Sequence, residues 1–495
     1  MDHIGHLIQG ETVYDGRLLD IKDPATGETI RKVHLASRET TLKAINAAKA
    51  AFPAWAGLPC AKRARFFFAY RELLVKNKEE IVALIGSEHG KISHDAQGEV
   101  QRAIENVEYA ASAPEILKGE YSKNVGPDID SWSEFLPLGV VAGITPFNFP
   151  AMVPLWMYPL AIAAGNTFVL KPSERAPSSA FLMAKLLHEA GLPAGVLNVV
   201  NGDRESVEAL LEAEDVKAVS FVGSTPVAQA IYKKASAAGK RCQALGGAKN
   251  HAVVLPDAPT EYVANALMGA AFGSSGERCM AISAIVAVGD DTADRLVACL
   301  SSKIAGLKIG SYKDASNDFG PLISQEAKER IEGFIQRAKE QGANLVVDGR
   351  GLKVKGYEGG FFTGATLIDK VHKDMECYQK EIFGPVLVVL RVKNLSEALQ
   401  LIKDHEYGNG TCLFTRDGEA ARLFKDQVQA GMVGINVPLP VPVSYHSFGG
   451  WKRSLFGDLA AYGPDGARFY TQRKTITQRW PKGEQVGGMQ FSFPT

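Results

Sequence analysis

The chain lacks most of the features that would place it at once. It has no block of like charge, and its 55 Lys and Arg balance its 55 Asp and Glu, so the formal net charge is zero. That argues against the basic field of a nucleic-acid binder and against a charged interaction tail. Six cysteines (Cys60, Cys242, Cys279, Cys299, Cys377 and Cys412) are few for 495 residues, and no two are spaced as C-x-x-C. A disulfide scaffold is thereby excluded. The same spacing argues against zinc or any other metal site, and free thiols fit a reducing cytoplasm. The opening MDHIGHLIQGETVYDG has no basic segment followed by an apolar one, and no Arg- and Ser-rich transit pattern. No targeting signal is read there.

Charge is also absent from every position between 135 and 170. A membrane helix needs ~20 apolar residues, so the length is available. Pro137, Pro146, Pro150, Pro154 and Pro159 punctuate it, together with Gly139, Gly143, Asn148, Gly165 and Asn166. A buried strand–turn–helix–strand unit accounts for these better than a membrane span.

Length predicts two or three domains. Helices are expected over Thr40 to Phe52, closed by Pro53, from Ala61 to about Gly90, and from Gly98 to Leu117, where Val100, Ile104, Val107 and Ala111 recur at helical spacing. Short β-branched runs follow at Gly139–Ile144, Thr167–Leu170, Val196–Val200, Ala218–Val222 and Ala252–Leu255, alternating with helical segments. A second alternating block includes Ile282–Val288, Leu345–Val347, Val386–Leu390 and Gly410–Phe414. The fold class is therefore α/β, with two open parallel sheets. Asp128–Phe135 and Ala467–Arg479 read as extended pieces outside both. The latter alternates well enough for an edge strand, which invites a partner.

No G-x-G-x-x-G follows a strand, so any dinucleotide is held differently. Lys171-Pro-Ser-Glu174-Arg175 follows a strand end. There Glu174 can accept two ribose hydroxyls and repel a 2′-phosphate, favouring NAD. A solvated charged turn is the plainer alternative. Phe221-Val-Gly-Ser224-Thr225-Pro226 ends a strand, turns on Gly, offers a capping hydroxyl and opens a helix whose free N–H groups suit phosphate. A capped helix without ligand would look the same. In Gly273-Ser-Ser-Gly276-Glu277-Arg278-Cys279-Met280, small residues let backbone approach a ligand, and Arg278 is expected to lower the Cys279 pKa. Thr145-Pro-Phe147-Asn148-Phe149-Pro150 offers an uncharged amide suited to an oxyanion. Lys380-Glu381-Ile-Phe383-Gly-Pro385 sets a carboxylate between strands.

Taken in order, PFNFP (146–150), KPSE (171–174), FVGST (221–225), the GERC segment, EIFGPV (381–386) and SFGGWK (447–452) resemble the aldehyde dehydrogenase superfamily over essentially the whole chain. The resemblance implies an NAD-binding domain (1–117 and 137–246), a catalytic domain (247–445), a small oligomerisation arm (118–136 and 465–483), a return to the first domain (446–464), a tail (484–495), and a homodimer or homotetramer. It also implies roles. Cys279 attacks the aldehyde, and Asn148 with the Cys279 N–H holds the oxyanion. Thr145, Phe147, Lys171, Glu174, Arg175, Ser224, Gly246, Glu381 and Phe383 line the NAD site. Ala228 departs from the second Gly common in the GST-x-x-G turn.

Hydrolytic members carry E-L-G-G-K, with Glu activating water. Here Leu245 occupies that Glu position, ahead of Gly246-Gly-Ala-Lys-Asn-His251, and leucine cannot abstract a proton. A thiol of pKa about 8.5 needs a base less, and coenzyme A is such a thiol. GAKNH, GERCMA, IENVEYA (104–110) and NVPLPVP (436–442) resemble the CoA-acylating methylmalonate-semialdehyde dehydrogenase branch. That branch oxidises and decarboxylates malonate or methylmalonate semialdehyde and passes acetyl or propanoyl to CoA. A guanidinium clamp for the carboxylate is then expected, from Arg278 and Arg102. The latter, read alone, lies on the helix face opposite the apolar stripe. The alternatives are a hydrolytic enzyme with another base, for instance Glu277, and a non-catalytic relative on the same scaffold.

Overall fold

A computed structural model describes residues 3–480. The proposed tail (484–495) and the last residues of the arm lie outside them. Val140–Ile144 and Thr167–Lys171 are buried at every position and pair in parallel, from Val140 with Thr167 to Ile144 with Lys171. The helix Met152–Ala163 between them is also buried throughout. Continuous apolar strands without alternation are what a sheet covered on both faces requires. No helix among the described residues is long and apolar enough to cross a membrane.

These strands form the centre of an eight-stranded sheet. Its order runs Leu455–Phe456, Arg241–Leu245, Val216–Val222, Val140–Ile144, Thr167–Lys171, Leu197–Val199, His6–Ile8 and Glu11–Val13. The five inner strands are parallel and the outer ones antiparallel. A second sheet runs Asn344–Val347, Thr366–Asp369, Val386–Val392, Ile282–Val288, Asn250–Val254, Gly410–Phe414 and Met432–Ile435, parallel apart from its first strand. A third sheet of three antiparallel strands joins Thr471–Arg479, Ile129–Pro137 and Tyr121–Gly126. Thr471–Arg479 lies at its edge, as the alternation suggested.

Several sequence expectations need correction. Pro53 does not close the first helix, which runs Arg38–Ala56. Its last turn is anchored by buried Trp55, whose Nε1 donates to the Ile162 carbonyl at 2.9 Å. The helix expected from 61 to 90 is two, Cys60–Lys76 and Lys78–His89. Asn77 breaks it and bonds back to the Leu73 carbonyl at 2.8 Å. The next begins earlier, at Ser93, and ends at Ala111, followed by a separate turn at Ala113–Ile116. The piece expected to be extended from Ala467 starts inside a helix, Gly463–Phe469, and is a strand only from Thr471. The run ending at Leu255, read with the first block, belongs to the second sheet. Arg241–Leu245, Thr366–Asp369, Met432–Ile435 and the strands before residue 36 had no sequence reading.

Candidate active site

In the first sheet the chain proceeds from Val140–Ile144 to Thr167–Lys171 and Leu197–Val199. It then returns to the other side of its starting strand with Val216–Val222. Strand order reverses there, and a crevice opens beyond the C-terminal ends at such a point. The residues that follow the two strands are Thr145–Asn148 and Gly223–Pro226. Pro146, Phe147, Asn148, Gly223 and Ser224 line a cavity of about 630 Å³. Its other wall carries Gly246, Cys279, Glu381 and Phe383, with Arg330 and Arg337.

Cys279 enters from the N-terminal side of the second sheet. The segment before it turns tightly, with Ser274, Ser275 and Gly276 at φ of 52°, 56° and 69°. A left-handed residue other than Gly costs roughly 1–2 kcal/mol, so the surroundings must hold the serines in place. The Ser274 N–H donates to Asp95 Oδ2 at 2.9 Å and Ser275 Oγ to the Gly320 carbonyl at 2.7 Å. Gly276 has no alternative, since a Cβ there would lie 2.2 Å from the Gly384 oxygen. The Cys279 carbonyl is fixed by two amides, Asn250 Nδ2 at 2.9 Å and Asn409 Nδ2 at 3.0 Å. Sequence reasoning assigned no role to either. Asn250 carried a signal, lying within the GAKNH motif. Asn409 carried none.

Cys279 is partly exposed because a second cavity, of about 270 Å³, also opens onto it. Burial pushes its thiol up to about 12, and the Glu381 carboxylate adds to the rise. The neighbouring N–H groups and Arg278 act in the lowering direction but are outweighed. Arg278 therefore acts in the expected direction, but the net shift of the thiol is upward. Its guanidinium is turned to Asp95, 2.8 Å away. Alkylation of Cys279 by iodoacetamide should be slow at pH 7 and rise about tenfold per pH unit towards pH 10, following the thiolate fraction. A plateau near pH 7 would contradict this.

Glu381 is half-buried, and its carboxyl is held up to about 7, chiefly by desolvation. Its Oε1 accepts the Ala248 N–H at 2.9 Å, and a Cβ on Gly247 would lie 2.4 Å from its Oε2. Glycine at 247 is what lets the carboxyl border the cleft. Phe383, at φ 53°, sets its ring edge-on to Phe147 at 6.1 Å. Ser224 precedes the helix Thr225–Ala237 but makes no capping bond, contrary to the expected cap. Thr225 Oγ1 instead accepts the Gly247 N–H at 2.8 Å. The uncapped helix start borders the cleft, where free N–H groups suit phosphate. Ala228 is fully buried in that helix. Thr145 is buried with its Oγ1 unpartnered, and its N–H donates to the Lys171 carbonyl at 3.0 Å. One strand along, Lys171 pairs with Glu174 at 3.0 Å. Desolvation raises the Glu174 carboxyl, but Lys171 and a backbone N–H outweigh it and keep the group ionised. Arg175 is half exposed, 4.0 Å from Glu326.

The smaller cavity is walled by Phe149, Met152, Trp156, Leu439 and Phe448, and carries Lys91, Arg102 and Arg278 against Asp95 and Glu99. Each of the three cations has a carboxylate partner, Lys91 with Glu99, Arg278 with Asp95 and Arg102 with Glu105. Arg102 is oriented by Glu105 at 2.7 Å and by the Val441 carbonyl at 3.2 Å. Asn148 lies in the nucleotide cleft with its Nδ2 2.9 Å from the Glu277 carbonyl. Leu245 and Glu277 line neither cavity. Leu245 is buried within its strand, paired with Val222. The Glu277 carboxyl is pushed up to about 8 by burial, and accepts the Ile323 N–H at 3.3 Å.

A thiol thus stands where a cleft of about 630 Å³ meets a second cavity lined by Lys91, Arg102 and Arg278, and comparison with known proteins gives the class. The aldehyde dehydrogenase family model matches residues 13–476, and the chain belongs to that family. It is 63% identical over 496 residues to a malonate-semialdehyde dehydrogenase of Pseudomonas aeruginosa, covering 100% of both. It is 48% identical over 465 residues to one from Halalkalibacterium halodurans, covering 94% of this chain and 95% of the relative. Among solved structures, it superposes with a TM-score of 0.97 on a methylmalonate-semialdehyde dehydrogenase from Oceanimonas doudoroffii, at 63% identity, covering 98% of this chain and 99% of the other. A TM-score of 0.96, with 51% identity and the same coverage, relates it to a Sinorhizobium meliloti protein, provisionally assigned the same activity and complexed with NAD.

Proposed function

We propose that this chain is an NAD-dependent, CoA-acylating dehydrogenase of malonate or methylmalonate semialdehyde, acting through a thioester on Cys279. The observation that carries the reading is the junction of the two cavities at Cys279, together with Leu245 at the sequence position of the usual base. The relatives' names supply the substrate class.

Ser224, Thr225, Glu381 and Phe383 line the cleft and fit NAD, while Lys171 and Glu174 stand outside that lining at the end of the neighbouring strand. The uncapped helix start at Ser224 and Thr225 would receive the pyrophosphate, Glu174 and Lys171 the adenosine ribose, and Glu381 and Phe383 the nicotinamide ribose and ring. When bound, the cofactor supplies the hydride acceptor. The chain supplies the rest. The Cys279 thiol gives its proton to water, its sulfur adds to the aldehyde carbon, and the Asn148 amide and the Cys279 N–H take the developing oxyanion. Loss of hydride leaves a thioester. Arg278 and Arg102 hold the substrate carboxylate, whose C–C bond then breaks to release carbon dioxide. The bonding pair passes into the thioester carbonyl, and the α-carbon takes a proton. The CoA thiolate finally attacks the carbonyl carbon and expels the Cys279 thiolate. The chain division given above, and assembly as a dimer or tetramer through the edge strand Thr471–Arg479, belong to the same proposal.

Arg278→Leu and Arg102→Leu should each raise KM for a semialdehyde acid about 10- to 100-fold, as loss of a charge-assisted bond does. KM for propanal should be nearly unchanged. Equal effects on both aldehydes would remove the clamp. The reading as a whole is tested by identifying products from a panel of semialdehydes with NAD and CoA. Acetyl-CoA and propanoyl-CoA are expected, and free acids as sole products would refute it.

A further inference from the structure

The segment that carries Asn148 is held by a buried ion pair that the reaction above does not use. Lys91 follows the left-handed Gly90 at the end of the helix Lys78–His89, and Glu99 lies on the helix Ser93–Ala111. Their side chains are 1% and 0% exposed, with Nζ and Oε2 2.5 Å apart. Burying two charges is costly unless every remaining hydrogen-bonding position is used. Here the other recorded bonds all go to one stretch of five residues. Lys91 Nζ donates to the Asn148 carbonyl at 2.7 Å and sits 4.1 Å from the centre of the Phe149 ring. Glu99 Oε1 accepts the N–H groups of Ala151 and Met152 at 2.9 and 3.1 Å.

The local sequence explains why a distant carboxylate is needed there. The helix Met152–Ala163 starts after Ala151, which has no side chain able to cap it. Its first N–H groups are buried and require an acceptor, and Glu99 stands in for the missing cap. Lys91 then neutralises that carboxylate and grips the carbonyl of the residue whose amide faces the cleft. Asn148 Nδ2 spends one hydrogen on the Glu277 carbonyl at 2.9 Å, which leaves the second for a ligand. The Asn148 backbone and side chain are therefore each tied by one bond. Both Lys91 and Glu99 also line the cavity that opens onto Cys279.

We infer that the Lys91–Glu99 pair is a positioning device for the Asn148 amide, acting on acylation of Cys279 through Asn148 alone. This rests on the assignment of Asn148 as oxyanion donor. The test uses the full-length enzyme saturated with NAD, and reads the rapid NADH burst with propanal. The near-isosteric double variant Lys91→Met/Glu99→Gln removes both charges together. Its burst should slow about 30-fold, somewhat less than the 10²–10³ expected for losing an oxyanion donor outright. The dissociation constant for NAD and the alkylation rate of Cys279 should stay within about twofold, as expected of sites not coupled to the pair. In an Asn148→Ala background the same double variant should cost less than about threefold more, because its effect passes through the missing amide.

Equal losses in both backgrounds, or an unslowed burst, would overturn the inference. If the double variant does not fold, Glu99→Gln alone is read by the same criteria, since it keeps the side-chain volume and a neutral acceptor for Ala151 and Met152. An Asn148→Ala enzyme with an unslowed burst would remove the Asn148 assignment and the positioning role with it. A slow Asn148→Ala enzyme with additive losses would remove the positioning role alone.

Discussion

Replacement of Cys279 by Ala is expected to lower aldehyde oxidation by at least about 10⁴-fold, the scale set by removing a catalytic nucleophile. No other cysteine can substitute. Cys242, Cys377 and Cys412 are buried in the core, Cys299 is engaged with Glu261 at 3.2 Å, and Cys60 packs on the helical side of the first sheet. NAD binding should persist, because the helix start at Ser224, Glu174 and Glu381 owe nothing to the sulfur. The measurement pairs NADH production with NAD titration on the same preparation. Retained turnover in Cys279→Ala would end the thioester account. Loss of NAD affinity in parallel would mean that the variant damages the cleft.

Asn148→Ala carries the second large effect. Deleting a single oxyanion donor costs about 10²–10³ in rate. Asn148 is buried, its side-chain amide on the Glu277 carbonyl and its backbone carbonyl on the Lys91 ammonium, so alanine leaves the Glu277 carbonyl with one bond fewer. Some destabilisation should accompany the kinetic loss, roughly 1–3 kcal/mol for a buried group left unpaired. The two are separable. The rate loss should appear in the burst phase of properly folded enzyme, with the KM for aldehyde little altered. A change confined to thermal stability would make Asn148 a structural residue only.

How far the sequence could be read follows from the range of each interaction. The turn at Gly273–Gly276 and the strand ends at Ile144 and Val222 are local, and their residues stand together in the chain. The parallel sheets were legible because buried strands such as Val140–Ile144 are continuously apolar between glycines and prolines. Thr366–Asp369 was not, being four residues long and ending in a buried Asp that pairs with Arg391 at 2.7 Å. The groups that fix Cys279 and Asn148 were hidden by distance. Asn409 reaches Cys279 across 130 residues, and Lys91 reaches Asn148 across 57. The direction of the Cys279 pKa was misjudged for the same reason. The sequence places Arg278 next to the thiol, but only the fold shows Asp95 engaging that guanidinium and the burial that outweighs it.

The central claim is that a thiol, not water, discharges the enzyme, because Leu245 stands where a base would be. Enzyme saturated with NAD and mixed with malonate semialdehyde in the absence of CoA should release about one equivalent of NADH per Cys279 and then stall, as a ping-pong acyl-enzyme does. Adding CoA should restore steady turnover with acetyl-CoA as product. Sustained turnover without CoA, yielding free acid at the same rate, would contradict the account.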